Sequence, residues 1–122
     1  MNVDELVAID VHVHLEHDAQ PTDTDEAARK YFGKGVAAQG AQGLADYYRS
    51  RKMACVVFTV DERLTGRPHV TNDDILAFAA ANADIAIPFV SVDPTRGEAA
   101  VAEARRLVAI GAVCGLKLHP PL

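Results

Sequence analysis

The sequence predicts an α/β fold built on a parallel sheet. Four short runs rich in β-branched residues, at 6–15, 54–62, 85–94 and 112–120, alternate with segments of helical periodicity. Strands that alternate with helices form a parallel sheet through right-handed crossovers. Each run also ends in polar residues, and the carboxyl ends of parallel strands are where such folds place their active sites. The chain is therefore expected to be one domain, residues 1–122, with its chemistry at one edge of the sheet.

The first predicted strand runs from Leu6 to Leu15, because its polar residues alternate with β-branched ones. This alternation predicts that Asp10, His12 and His14 share one face of the strand. A long polar stretch over 16–42 follows, with a short helical patch in "DEAARKYFG".

The middle of the chain supplies two helices and two strands. The segment 43–53, "GLADYYRSRKM", is a predicted helix whose apolar side carries Leu44, Tyr47, Tyr48 and Met53. The second strand is expected over 54–62. Before the next helix, Thr71 is a candidate N-cap, and Asp74 stands at the position that completes a capping box.

The last part of the chain follows the same order. The third strand is closed by Pro94, and the helix that follows is stopped by Gly111 in the C-cap position. In the fourth strand, "AVCGLKLHP", Lys117 and His119 fall on the same face near the carboxyl end.

Composition excludes several classes of partner. Twelve basic residues against seventeen acidic ones give a net charge of −5. This balance opposes nonspecific binding to nucleic acid or to an anionic membrane surface. The N-terminus carries Asp4 and Glu5 where a secretory signal would be basic, and no apolar run approaches membrane-spanning length, so a cytoplasmic location is expected.

Cys55 and Cys114 lack C-x-x-C spacing and are predicted to be buried, reduced thiols.

The motif "HVH" on the first strand is the principal candidate site. Residues at i and i+2 of a strand point to the same face about 6 to 7 Å apart at the backbone, so His12 and His14 can converge on one metal ion. The alternative is a hydrogen-bonded pair facing solvent, which is disfavoured because parallel strands are normally covered on both faces. Asp10 is predicted to support the ligands rather than to bind metal. His17, in the following loop, is expected to be a surface residue.

Lys117 and His119 are the catalytic candidates on the fourth strand. A lysine beside a metal could bind a substrate carboxylate, polarise a carbonyl or, if carbamylated, become a ligand. The alternative is a strand-end lysine whose stem carries the ammonium to water. The functional interpretation is favoured for Lys117, whereas His119 is equally consistent with both. Asp61 and Asp93 precede turns, where aspartate commonly accepts bonds from nearby backbone N–H groups, and a structural role is expected for them.

Together, "IDVHVH", "VVFTVD", "IPFVSVDP" and "GLKLHP" resemble the N-terminal half of the amidohydrolase-related family, metal-dependent hydrolases and decarboxylases that are distorted TIM barrels. Within that family the sequence most resembles 4-hydroxyphenyl-β-ketoacyl-CoA hydrolases, which cleave a carbon–carbon bond. The resemblance implies the first half of a (β/α)8 barrel. It also implies that His12 and His14 ligate a divalent metal, usually zinc, and that a metal-bound water attacks a substrate carbonyl. Decarboxylation is the alternative chemistry.

The family completes its site with histidines from strands five and six and an aspartate from strand eight. A full barrel takes about 250 residues, so 122 residues supply four of eight strands and the chain alone is expected to be inactive. It would then be a truncated product, a fragment or an N-terminal half. The expected partners are a small molecule with a carbonyl or carboxylate group and a second copy of the chain. A non-catalytic half-barrel that acts through self-association is the other alternative, because open strand edges and the inward-facing Val57, Phe89 and Val113 would lack cover.

Overall fold

A computed structural model describes residues 1–15, 40–59 and 70–119. Its strands and α-helices are β1 (Ala8–His14), α1 (Gly40–Ser50), β2 (Met53–Phe58), α2 (Asn72–Ala81), β3 (Ala86–Ser91), α3 (Glu98–Ala109) and β4 (Gly115–Lys117). All three strand pairings are parallel, and the strands lie in the order β1-β2-β3-β4. The predicted α/β fold, the N-terminal half of a (β/α)8 barrel, is confirmed.

Several sequence predictions concern segments outside these ranges. The helical patch in "DEAARKYFG", His17 and Asp61 all lie outside the described residues. The described strands are shorter than predicted, most clearly β4, which covers three residues where 112–120 was expected. Apolar alternation continues past the point at which ladder hydrogen bonds stop, so it marks a strand better than it marks the strand's ends.

The local signals that start α2 and end α3 act as predicted. The Thr71 side chain accepts the N–H of Asp74, and the Asp74 carboxylate accepts the N–H of Thr71, which completes the capping box. At the other end of the chain, α3 is followed by Gly111 with φ of +81°, a left-handed conformation that glycine adopts without a steric penalty.

The core lies between the sheet and the helices. Its larger cluster joins strands β1, β2 and β3 to α1 and α2 and consists of Val13, Leu15, Ala45, Tyr48, Cys55, Val57, Val70, Ile75, Phe78, Ala79, Ile85 and Ala86. A smaller cluster joins Leu76, Val90 and Leu107, with Val113 packed against it. Val57 and Val113 therefore face the helices, and the prediction that they line the inner face of the sheet is wrong. Phe89 does face the other way, because it alternates with the buried Val90.

The two cysteines differ in environment. Both are free thiols, and Cys55 is buried as predicted, but Cys114 is exposed. The apolar run "GAVCGLKL" suggested burial, yet Cys114 directly precedes β4, which is paired only with β3 in the described sheet. Among the described residues, no helix is both long enough and apolar enough to cross a membrane.

Candidate functional site

The imidazoles of His12 and His14 meet at the carboxyl end of β1. Their Nε2 atoms are 3.2 Å apart, and their ring centroids are separated by 5.1 Å. The predicted convergence of the two side chains is therefore present. Both residues are exposed, so the expectation that the strand has no solvent side is wrong, and the 3.2 Å separation also suits a hydrogen bond between one N–H and the neighbouring ring nitrogen.

The strand β1 is irregular immediately before the histidines. Asp10 pairs with Cys55 and Val13 pairs with Val57, so three steps along β1 match two steps along β2. This is the count of a β-bulge, in which one strand carries an extra residue. Even-numbered residues before the bulge therefore face the helices, whereas odd-numbered residues after it do so. Asp10 lies on the helix side with Cys55, and the prediction that it shares a face with His12 and His14 is wrong.

Asp10 bridges β1 and α1 through its two carboxylate oxygens. Oδ1 accepts the backbone N–H of His12 at 3.1 Å, and Oδ2 accepts the hydroxyl of Tyr48 at 2.7 Å. Burial, followed by this hydrogen bond to Asp10, raises the pKa of Tyr48 above its usual value. The sequence predicted only that Tyr48 lies on the apolar side of α1. No local signal could join it to Asp10, because the two residues are 38 positions apart.

The aromatic ring of Phe58, the last residue of β2, packs against both histidines. Its ring centroid lies 5.1 Å from that of His12 and 5.0 Å from that of His14, in edge-to-face orientation at 66°. The side chain is 1% exposed, so the ring is held firmly by its surroundings. Sequence reasoning did not single out Phe58, although its position at the end of an interior strand was the available signal.

Lys117, on β4 at the opposite edge of the described sheet, contacts the same Phe58 ring. Its Nζ lies 4.7 Å from the centroid of the Phe58 ring, within the range of a cation–π interaction. The backbone carbonyl of Lys117 accepts the Ser91 hydroxyl at 3.1 Å, which ties the end of β4 to β3. The structure therefore brings Lys117 to the ring that also contacts His12 and His14.

The electrostatics of the site favour a neutral His14. Partial burial lowers the pKa of His14, and the positive charges of His12, Lys117 and His119 lower it further, in that order. Imidazole binds metal only in its neutral form, so this shift favours a ligand over an imidazolium. His119 lies two residues beyond Lys117, just past the end of β4.

The two histidines fit a divalent metal as a partial ligand set. Two nitrogens bound to tetrahedral zinc at about 2.0 to 2.1 Å lie roughly 3.3 Å apart, close to the observed Nε2 separation. A complete set is not present: within residues 1–15, 40–59 and 70–119, no group of three or more histidine, cysteine, aspartate or glutamate side chains could hold an ion.

The other polar residues at the strand ends have structural contacts. Asp93 accepts the backbone N–H and the hydroxyl of Thr95 at 2.9 and 2.7 Å, as expected for an aspartate that precedes a turn. The Thr59 hydroxyl donates to the carbonyl of Val70. Ser91 exchanges two backbone hydrogen bonds of 2.8 Å with the Asn72 side chain.

Comparison with known proteins identifies a family. The model of a family described as amidohydrolase matches residues 9–122, which is nearly the whole chain and includes all four strand-end motifs. No curated protein matches the sequence, and no solved structure matches it either.

Proposed function

The chain belongs to the amidohydrolase family, and from this premise we propose that it carries the first metal ligands and a substrate-binding lysine of a metal-dependent hydrolase. His12 and His14 would hold a divalent ion, with zinc as the proposed metal. The observation that supports this proposal most directly is the 3.2 Å separation of their Nε2 atoms, above the same Phe58 ring that Lys117 contacts.

Each residue has a distinct proposed role. When bound, the ion supplies a Lewis acid and lowers the pKa of water toward neutrality. Lys117 binds a substrate carboxylate or polarises a carbonyl oxygen, and the face of Phe58 keeps its ammonium beside the histidines. His119 is the candidate for proton transfer, because imidazole is the side chain most often used as a general acid or base.

The proposed substrate is a small molecule that combines an apolar part with a carbonyl or carboxylate group. The half-buried Phe89 gives the inner face of the sheet an aromatic surface, and Lys117 adds a positive charge. A β-ketoacyl thioester meets both requirements, which agrees with the resemblance to 4-hydroxyphenyl-β-ketoacyl-CoA hydrolases. Decarboxylation of a keto acid would use the same groups, and release of CO2 distinguishes the two reactions.

Metal affinity tests the ligand assignment. Catalytic zinc normally takes three protein ligands and a water, so two histidines should bind Zn²⁺ weakly. Calorimetric titration of the 122-residue chain should therefore show one weak site, and the double variant His12→Ala with His14→Ala should abolish it. Cys114→Ala is the matched control, because an exposed thiol can also capture zinc. Unchanged affinity in the double histidine variant would refute the assignment.

Turnover provides a second test. Because only two candidate ligands are present among the described residues, the 122-residue chain should hydrolyse a β-ketoacyl thioester no faster than free Zn²⁺ does. Assays of thioester cleavage and of CO2 release from a keto acid should both remain at that background. Robust turnover by the purified chain would contradict the incomplete site.

A further inference from the structure

We propose that Asp10 and Tyr48 form a positioning pair, which holds the bulge in β1 and thereby presents His12 beside His14. This inference rests on the proposed function of the two histidines as metal ligands. It assigns to a carboxylate and a phenol on the opposite side of the strand a role in the geometry of the site.

The bulge determines which residues of β1 face the proposed metal site. In a regular strand, residues 10, 12 and 14 share one face. If β1 lost its extra residue, one of two changes would follow: Asp10 would turn to the face of the histidines, or the histidines would turn toward the helices. The first change would break the hydrogen bond between Asp10 and Tyr48, and the second would carry both imidazoles away from the Phe58 ring that they contact in the structure.

Asp10 is suited to hold this irregularity. A bulge interrupts the ladder and frees backbone groups from their strand partners. The carboxylate accepts the N–H of His12 within the interrupted segment, so it fixes the backbone of a proposed ligand directly.

Tyr48 in turn fixes the carboxylate. Its side chain is only 5% exposed and belongs to the larger core cluster, so its hydroxyl is a rigid donor at 2.7 Å from Asp10 Oδ2. A carboxylate with one oxygen on a core tyrosine and the other on the strand backbone has little freedom to rotate. The pair thus connects the packing of α1 to the orientation of His12.

Zinc titration of matched variants tests the pair. Residues that orient metal ligands typically contribute 10-fold to 100-fold in affinity. Asp10→Ala should weaken Zn²⁺ binding by about that factor, and Tyr48→Phe by about 10-fold. Asp10→Asn keeps an oxygen for the His12 N–H and should restore affinity to within about 3-fold of the unmodified chain. Tyr47→Phe removes a hydroxyl from the next residue of α1 and should leave affinity unchanged.

A metal-free readout separates positioning from general stabilisation. Amide hydrogen exchange measured by NMR should show that Asp10→Ala selectively lowers the protection of the His12 amide, relative to amides of β2 and β3. Uniform loss of protection across the sheet would indicate a merely structural role and would overturn the proposal. Because Tyr48→Phe retains the ring, it provides a test even where Asp10→Ala does not fold.

The outcomes also separate this proposal from the proposed function. Zinc binding that depends on His12 and His14 but is unaffected by Asp10→Ala and Tyr48→Phe would refute the positioning pair alone. Zinc binding that is insensitive to the histidines would refute the metal site. Selective weakening by Asp10→Ala and Tyr48→Phe, with rescue by Asp10→Asn, supports the pair.

Discussion

The two neighbouring strands β1 and β2 both carry alanine and valine, but the environments of these residues differ greatly. Five of the six residues of β2 are buried, whereas β1 buries only one of seven. Val57 on β2 is 0% exposed, and Val11 on β1 is 71% exposed. Residue type alone therefore does not explain the different exposure of these two valines. In the described sheet β2 has a strand on each side, while β1 is paired with β2 alone.

This contrast separates two tasks within one sheet. The interior strands supply the packed support, and the edge strands carry most of the candidate chemistry, with Phe58 at the junction between them. His12 and His14 belong to one edge strand and Lys117 to the other, and the Phe58 ring at the end of β2 contacts all three. A packed interior that supports the site residues is an arrangement suited to a binding site.

Thiol reactivity should show the largest difference between interior and edge. Burial, followed by the charge of Asp10, raises the pKa of Cys55 to about 11, so near pH 8 this residue holds about 100-fold less thiolate than an ordinary thiol. Cys114 is exposed. Titration of the native chain with a chromogenic disulfide at pH 8 should give one fast thiol and one at least about 100-fold slower. Cys114→Ala should remove the fast phase, and two equally fast thiols would contradict the burial of Cys55.

The same substitution in the two strands should differ in its effect on stability. Val57→Ala removes two methyl groups from a fully buried site and should lower the free energy of unfolding by about 2 kcal/mol. Val11→Ala, at an exposed position, should change it by less than about 0.5 kcal/mol. Urea denaturation followed by circular dichroism measures both values. Equal losses would mean that Val11 is covered in solution.

Substitution of Gly115 should destabilise the protein, although residues of an edge strand usually tolerate substitution. A Cβ added to Gly115 would lie 2.4 Å from the ring of Phe89, so the ring must move. Gly115→Ala should therefore cost about 1.5 kcal/mol, as overpacking typically does. In a Phe89→Ala background the same change should cost much less, because the two side chains interact directly. An equal cost in both backgrounds would assign the effect to the backbone of β4 instead.

The sequence predicted those features that depend on neighbours along the chain. The capping box of Thr71 and Asp74 and the left-handed Gly111 are set by residues within a few positions, and both are confirmed. The parallel order of the strands followed from the alternation of strand and helix patterns. That order also brought the candidate residues of β1 and β4 to one region, since parallel strands share their carboxyl ends.

The features that sequence reasoning missed depend on contacts distant in the chain. Alternation assumes a regular strand, so it could not reveal the bulge that moves Asp10 to the opposite face. It gave Cys114 the same burial as Cys55, because exposure depends on whether another element covers the strand. The contact of Tyr48 with Asp10 arises only when α1 packs on the sheet. The roles proposed for His12, His14, Lys117 and His119 stay predictions until metal and substrate are tested.

The 122-residue chain should self-associate, and a single substitution should change the free energy of association only slightly. In the described sheet each of β1 and β4 has one strand neighbour, and both expose apolar side chains, including Val11 and the 47% exposed Leu116. Unpaired apolar edges promote pairing between chains, and a two-fold dimer is the simplest closed arrangement. Light scattering at micromolar concentration should therefore show a dimer or larger species.

A charge on the edge should weaken this association without unfolding the chain. Val11→Lys places a lysine on β1, a device by which natural edge strands avoid pairing, and should raise the dissociation constant several-fold, equivalent to about 1 kcal/mol. Val108→Lys is the matched control, because Val108 is similarly exposed at 62% but lies on the helix α3 rather than on a strand. Equal weakening by both variants would indicate that net charge rather than the strand edge controls association. A compact, cooperatively folded monomer of the unmodified chain would refute edge pairing altogether.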